Sequence, residues 1–238
     1  MSSREMTQID NLFTAWARNW CYDAGMPTIY DITRKIAPSS AVWEGDTRYS
    51  VRLLADQRLG SSVNLTTLTL SAHSATHADA RFHYQVNGAT IDYAPLEPFI
   101  GRARVVSVER RTGAITPADL AHVNLKGGQR LLIRTFLSSA PDEQLITDFP
   151  ALSAALIEHL AALEYVLVGT DAISIDPYTS TALEAHHALA RHGLYNLESL
   201  CLRDVPDGDY ELIALPLKLS GACASPVRAI LRPLRGDV

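Results

Sequence analysis

Apolar positions along the chain change period several times. From Thr28 onward the pattern is short runs in which Val, Ile, Leu and Thr interleave with polar residues: TIYDIT at 28–33, RYSVRLL at 48–54, SSVNLTTLTLSAHS at 61–74, then Arg102 to Val108, Arg130 to Thr135, Tyr165 to Thr170 and Glu211 to Leu219. Each is bounded by Gly, Pro or Asp, which predicts strands. Helical spacing appears between them. PALSAALIEHLAAL at 150–163 repeats apolar residues three and four apart, TALEAHHALARH at 181–192 stops at Gly193, and the segment from Thr116 to Val123 opens Thr-Pro-Ala-Asp, a helix-start signal. Ahead of all this, Ile9, Leu12, Phe13, Trp16 and Trp20 line one stripe of an amphipathic helix. The interleaving predicts one α/β domain over residues 28–238 preceded by a helical extension over residues 1–27.

Composition narrows the classes without choosing among them. The 238 residues carry a net charge of −5 and 47% hydrophobic residues, the profile of a folded chain rather than a disordered one. Basic residues never cluster beyond a pair, so no nucleic-acid footprint is expected, and no apolar run approaches the ~18 residues of a membrane span. Neither Gly-x-Gly-x-x-Gly nor a Gly-Lys-Ser/Thr loop is present, which leaves NAD and ATP without an anchor. Cys21, Cys201 and Cys223 are odd in number and far apart, fitting a reducing cytoplasm better than a disulfide framework. The partner expected is a small-molecule substrate.

Histidine is where the sequence departs from the ordinary. Six of eight fall in two short segments. In SAHSATHADARFHY, Ser71 to Tyr84, His73, His77, Asp79 and His83 follow a strand-like run; imidazole nitrogen and carboxylate oxygen are the donors that zinc, manganese and iron accept. The second segment supplies Glu184, His186, His187, His192 and Glu198. Residues twelve apart on one helix differ by about 120° in azimuth, so His186 and Glu198 face a common point only if the helix breaks between them. Gly193 is placed to break it.

These stretches resemble the cyclase family of metal-dependent amide hydrolases and, more narrowly, bacterial kynurenine formamidases (arylformamidases). Ser71 to Tyr84 is similar to the family's His-x-Gly-Thr-His-x-Asp-x-Pro-x-His. Trp43-Glu44-Gly45-Asp46-Thr47 resembles Trp-Pro-Gly-Asp-Thr, Asp171 to Leu200 resembles Asp-x-x-Ser-x-Asp followed by Ala-His-His and a later Glu, and LPLKLSGACASPVRAIL at 215–231 resembles the C-terminal signature. The resemblance implies a swivelling β/β/α fold, a homodimer, and metal ligands at His73, His77, Asp79, His186 and Glu198. Five such side chains imply two divalent ions, zinc by family analogy with manganese as the other candidate. It further implies that His83 is the acid/base, that Trp43 lines the substrate pocket, and that hydroxide activated by the two metals hydrolyses N-formyl-L-kynurenine to kynurenine and formate.

Three positions depart from the family pattern. Ala75 stands for Gly and is strained if the loop needs positive φ there. Glu44 stands for Pro. Arg81, also in place of Pro, either points to solvent or pairs with a surface carboxylate such as Asp92, or else enters the pocket rim, where it grips a substrate carboxylate or shifts the preferred substrate to a related amide. Two other readings remain open at this point: a related hydrolase of isatin-like or biosynthetic amides, and an inactive metal-binding relative.

Overall fold

A computed structural model describes residues 28–234. The helix expected over Ile9 to Trp20 lies outside the described residues. Thirteen strands follow in chain order: β1 (Tyr30–Asp31), β2 (Ser50–Ala55), β3 (Leu65–Thr69), β4 (His77–Asp79), β5 (Ile100–Ser107), β6 (Ala114–Ile115), β7 (Arg130–Arg134), β8 (Ala151–Leu152), β9 (Leu167–Thr170), β10 (Tyr195–Glu198), β11 (Gly208–Ile213), β12 (Ala224–Pro226) and β13 (Ile230–Pro233). The described helices are α1 (Ala154–Ala162) and α2 (Glu184–His192), with short 3-10 turns elsewhere.

Nine strands form one curled mixed sheet in the order β1-β13-β11-β5-β7-β9-β10-β4-β12. Its middle, β5-β7-β9-β10, is parallel, and α1 and α2 cross between successive strands there. Both faces are buried, which is why these strands read as nearly continuous apolar runs. Leu131 and Ile133 on β7, Val106 on β5 and Val168 on β9 pack against Leu156, Ile157 and Leu160 of α1 and Ala188 and Leu189 of α2. The alternate residues, Leu132, Val105 and Leu167, join Ile32, Phe99 and Leu200 on the other face. Close packing dictates Gly169 on β9, where a Cβ would stand 2.6 Å from Leu132 and 2.7 Å from Leu200.

The predicted helices are present but shorter. α2 starts at Glu184 rather than Thr181 because Leu183 is left-handed (φ 46°), and it ends at Gly193 (φ 78°) as expected. The Thr116 to Val123 helix is corrected to a single 3-10 turn, Pro117–Leu120. Its Thr116/Asp119 capping box forms, but the bonds that follow, Ala121 N–H to the Ala118 carbonyl and Val123 N–H to the Leu120 carbonyl, close three-residue turns rather than an α-helix. Strands were overlong at 28–33, 61–74 and 211–219, and the three- and four-residue strands β4, β10, β12 and β13 carry too few residues to show a period. No described helix is long and apolar enough to cross a membrane.

Candidate metal centre and its cavity

The site forms where the sheet changes from parallel to antiparallel. β10 pairs parallel with β9 on one side and antiparallel with β4 on the other, in a register that sets Glu198 opposite His77 and Leu197 opposite Ala78. Residues directly opposite share a face, as do residues two apart on one strand. One face of this corner therefore carries His77, Asp79, Asn196 and Glu198, while Ala78 and Leu197 point into the core. α2 brings His186 to the same point. The break at Gly193 returns the chain as β10, so His186 and Glu198 meet, Nε2 to Oε1 at 3.4 Å.

All five expected ligands converge. Asp79 Oδ1 lies 3.1 Å from His73 Nδ1 and 3.5 Å from His77 Nε2; Asp79 Oδ2 lies 3.3 Å from His186 Nε2; His77 Nε2 lies 3.3 Å from Glu198 Oε2. His77, Asp79, His186 and Glu198 are all at least 95% buried. His77 Nε2 and Asp79 Oδ1 are buried without a hydrogen-bond partner among the described residues, an arrangement that costs free energy unless something else satisfies them. Separations of 3.3–3.5 Å are long for N–H···O bonds. Two donors each about 2.0–2.1 Å from a tetrahedral ion stand roughly 3.4 Å apart. The donor set, its spacing and its orphaned atoms thus fit a metal site.

Electrostatics point the same way. Burial opposes charge on His77, yet Asp79 and Glu198 outweigh it and push its pKa up to about 10. Burial likewise opposes charge on His73, which Asp79 and Cys223 raise to about 9. Asp79 would be raised by burial but is held well below its usual range by His186, His73 and His77. Two buried carboxylates demand positive charge here, supplied by protons or by a metal cation.

The ligand imidazoles are braced from behind. His77 Nδ1 meets the Ala75 carbonyl at 2.8 Å, and His186 Nδ1 meets Asp176 Oδ2 at 2.7 Å. The same Asp176 carboxylate accepts the Ala185 and His186 backbone N–H groups, both at 3.0 Å, so it caps α2 and orients its ligand together. Asn196 donates to both Asp79 (2.7 Å) and Glu198 (3.1 Å). Asp171, which opens the same motif, is different: Thr135 and Ser138 give it four donors, and it anchors loops. Sequence reasoning missed Asn196 and the bracing role of Asp176, although Asp176 stood inside a quoted motif and Asn196 two residues before Glu198.

A cavity of about 600 Å³ opens above the cluster. His73, His77, His186 and Glu198 line its floor, with His83 and Trp43 also on its wall. The His83 ring packs against His73 at a 47° tilt, centroids 4.2 Å apart, and takes no hydrogen bond from a described residue. His83 is exposed on the cavity side, but partial desolvation beside these rings, helped by His73 and His186 and opposed by Asp79, lowers its pKa. Trp43 packs at 4.2 Å on Tyr178, an aromatic pair the sequence did not announce. Arg81 is a correction: it does not line the cavity and does not pair with Asp92. Its guanidinium donates to the Ala190 carbonyl near the end of α2 (3.0 Å) and sits over Tyr195, because the Arg81–His83 turn aims it at the helix C-terminus. Glu184, His187 and His192 are exposed on α2, and His122 and His159 are exposed elsewhere. Ala75 does adopt φ 53°, and with Leu183 (φ 46°) and Ser199 (φ 55°) it places three left-handed non-glycine residues on the cavity wall.

Residues 30–177 match the protein-family model described as "Putative cyclase". The chain belongs to this cyclase family. Among curated relatives, the kynurenine formamidase of Maricaulis maris is 43% identical over 209 residues, 88% of this chain and 100% of that protein. That of Salinibacter ruber is 42% identical over 208 residues, 86% and 97% respectively. A solved structure described as a predicted metal-dependent hydrolase from Bacillus stearothermophilus superposes with a TM-score of 0.75 at 26% identity, covering 88% of this chain and 100% of that one. Isatin hydrolase A from Labrenzia aggregata shares the cyclase-family fold, with a TM-score of 0.77 at 22% identity over 95% of this chain and 99% of that one.

Proposed function

We propose that the chain is an arylformamidase that hydrolyses N-formyl-L-kynurenine to L-kynurenine and formate at a centre of two divalent ions. The observation that carries this is the buried cluster of three imidazoles and two carboxylates, with orphaned His77 Nε2 and Asp79 Oδ1, beneath a cavity walled by Trp43. The relatives at 42–43% identity over nearly the whole chain supply the substrate. Two ions are favoured because both carboxylates are split: Asp79 Oδ1 and Glu198 Oε2 face His77, while Asp79 Oδ2 and Glu198 Oε1 face His186. His73 stands with the first set. When bound, such ions lower the pKa of water and polarise the formyl carbonyl.

The chain's own residues do the rest. His83, whose pKa is lowered and whose ring takes no hydrogen bond from a described residue, takes a proton from the attacking water and delivers it to the departing arylamine nitrogen. Trp43, backed by Tyr178, offers a flat wall to the substrate's aryl ring. Asp176, Asn196 and the Ala75 carbonyl hold the ligands so that little reorganisation is needed on binding. The free thiols of Cys201 and Cys223 suit a cytoplasmic location. A homodimer is favoured by the β2–β3 hairpin, which pairs with no other described strand and leaves Val51, Leu54, Leu65 and Leu68 at least 50% exposed; a second copy would cover it.

The test is formate release from N-formylkynurenine, compared with isatin and simple arylformamides, by chelated protein reconstituted with zinc, manganese or iron. Metal-dependent turnover that is fastest on N-formylkynurenine is expected. Preference for isatin, or no turnover with any metal, would overturn the reading.

A further inference from the structure

Each of the three imidazoles in the centre turns one ring nitrogen inward and has the other held by a different group. For His77 the holder is a backbone carbonyl, for His186 the carboxylate of Asp176. For His73, the inward nitrogen is Nδ1, 3.1 Å from Asp79 Oδ1, and Nε2 lies 3.3 Å from Cys223 Sγ. Neutral imidazole carries its proton on one nitrogen only, so the group that accepts that proton selects which nitrogen is free to ligate.

We infer that Cys223 is the positioning residue of His73: its sulfur accepts the Nε2 proton, fixes the Nδ1-ligating tautomer and holds the ring on the centre. This rests on the metal-centre reading above. The backbone is built to keep the sulfur there. Cys223 directly precedes β12, whose Ala224 pairs with Asp79, and the Cys223 carbonyl accepts the Ala80 N–H at 2.9 Å. The neighbouring Ala222 carbonyl accepts the Ile91 N–H at 3.0 Å. The thiol is therefore clamped to the strand that carries His77 and Asp79, and shifts of the ligand strand carry it along. His73 needs this more than its two partners, since it lies in the turn that precedes β4 and is the least buried of the three imidazoles.

The experiment compares Cys223→Val, which keeps bulk but removes the acceptor, with Cys223→Ser, which restores an acceptor. Cobalt(II) affinity is measured by competition with a chelator, and the exchangeable, paramagnetically shifted imidazole N–H signals are recorded by proton NMR. Wild type should show one such signal each for His73, His77 and His186. Cys223→Val should weaken the metal about 10- to 100-fold and lose one signal to solvent exchange, while Cys223→Ser should keep the signal and most of the affinity. A purely packing role predicts the reverse ranking, with Val at least as good as Ser. Should Cys223→Val fail to fold, Cys223→Ala carries the same expectation. Wild-type affinity and all signals in the acceptor-less variant would overturn the inference about Cys223 alone; a wild-type protein that binds no cobalt would overturn the metal centre and this inference with it.

Discussion

On β5 and β11, Asp209 stands opposite Arg104 in the register, accepts two hydrogen bonds from its guanidinium at 2.7 Å and a third from Arg102 at 2.8 Å, and leaves water access to all three side chains. On β4 and β10 of the same sheet, Asp79 and Glu198 are buried among histidines at 3.1–3.5 Å, with polar atoms left over. Cross-strand pairing built both clusters. They differ in completeness: the first gives both carboxylate oxygens guanidinium donors of matching geometry, whereas the second holds carboxylates and imidazoles at a spacing that suits a metal cation. A saturated cluster can only stabilise. An unsaturated one can bind, and the strained backbone at Ala75, Leu183 and Ser199 is gathered around it.

The comparison breaks most sharply at Asp79. Asp79→Asn removes the charge that both imidazole sets share, and metal content by elemental analysis and formamide turnover should both fall to background. The pH dependence sharpens it. His73 and His77 are raised to about 9 and 10 from about 6.5 unfolded, so the stability they give the metal-free protein is fully present below pH 6.5 and lost as pH rises through 9–10. Chelated protein should therefore show a falling Tm from pH 7 to 10, whereas metal-loaded protein should not, because deprotonation favours the ion. A flat Tm in chelated protein would count against the coupled cluster. His83→Ala should next lower turnover by about 10²- to 10⁴-fold while metal content stays full; retained rates at pH 7 would remove His83 from the reaction.

How much of this the sequence displays follows from where the information sits. α1 and α2 were legible because a periodic apolar face spans each helix, and β5 and β7 because a nearly continuous apolar run spans each strand. β4 is three residues and β10 four, too short for a period, yet they make the corner. What was legible there was donor chemistry: the histidines and acids of two short segments stood out by type, the family resemblance singled out His73, His77, Asp79, His186 and Glu198 among them, and the Gly193 break showed by its glycine. Asn196, Tyr178 and Cys223 were not, since an amide, a phenol or a single thiol gains meaning only from what pairing sets beside it. Arg81 misled for the same reason. A cation between Asp79 and His83 in sequence looks like a pocket residue, but the turn that carries it rotates its side chain to α2.

Asp176→Asn probes the bracing. It leaves no donor of the centre missing, but the amide cannot accept from the Ala185 and His186 N–H groups and the His186 ring as the carboxylate does. Metal affinity should weaken by about 10- to 100-fold, and loss of the cap should cost about 1 kcal/mol by denaturant unfolding. Turnover at saturating metal should largely survive, and that separates a residue that holds a ligand from one that reacts.

Asp209→Asn is the control at the saturated end. Arg104 and Arg102, against a small opposing effect of burial, hold the Asp209 pKa down to about 2. A depressed carboxylate contributes stability above its unfolded pKa, near 3.8, and loses it as pH falls through 2, so at neutral pH the full contribution is present. That contribution is still small, because the pair is open to water and salt; about 0.5 kcal/mol is expected on substitution. Metal content, turnover and the Tm slope between pH 7 and 10 should be unchanged. If Asp209→Asn altered metal binding, the two ends of the sheet would be coupled, and completeness of the local hydrogen bonding would no longer explain why only one of them binds.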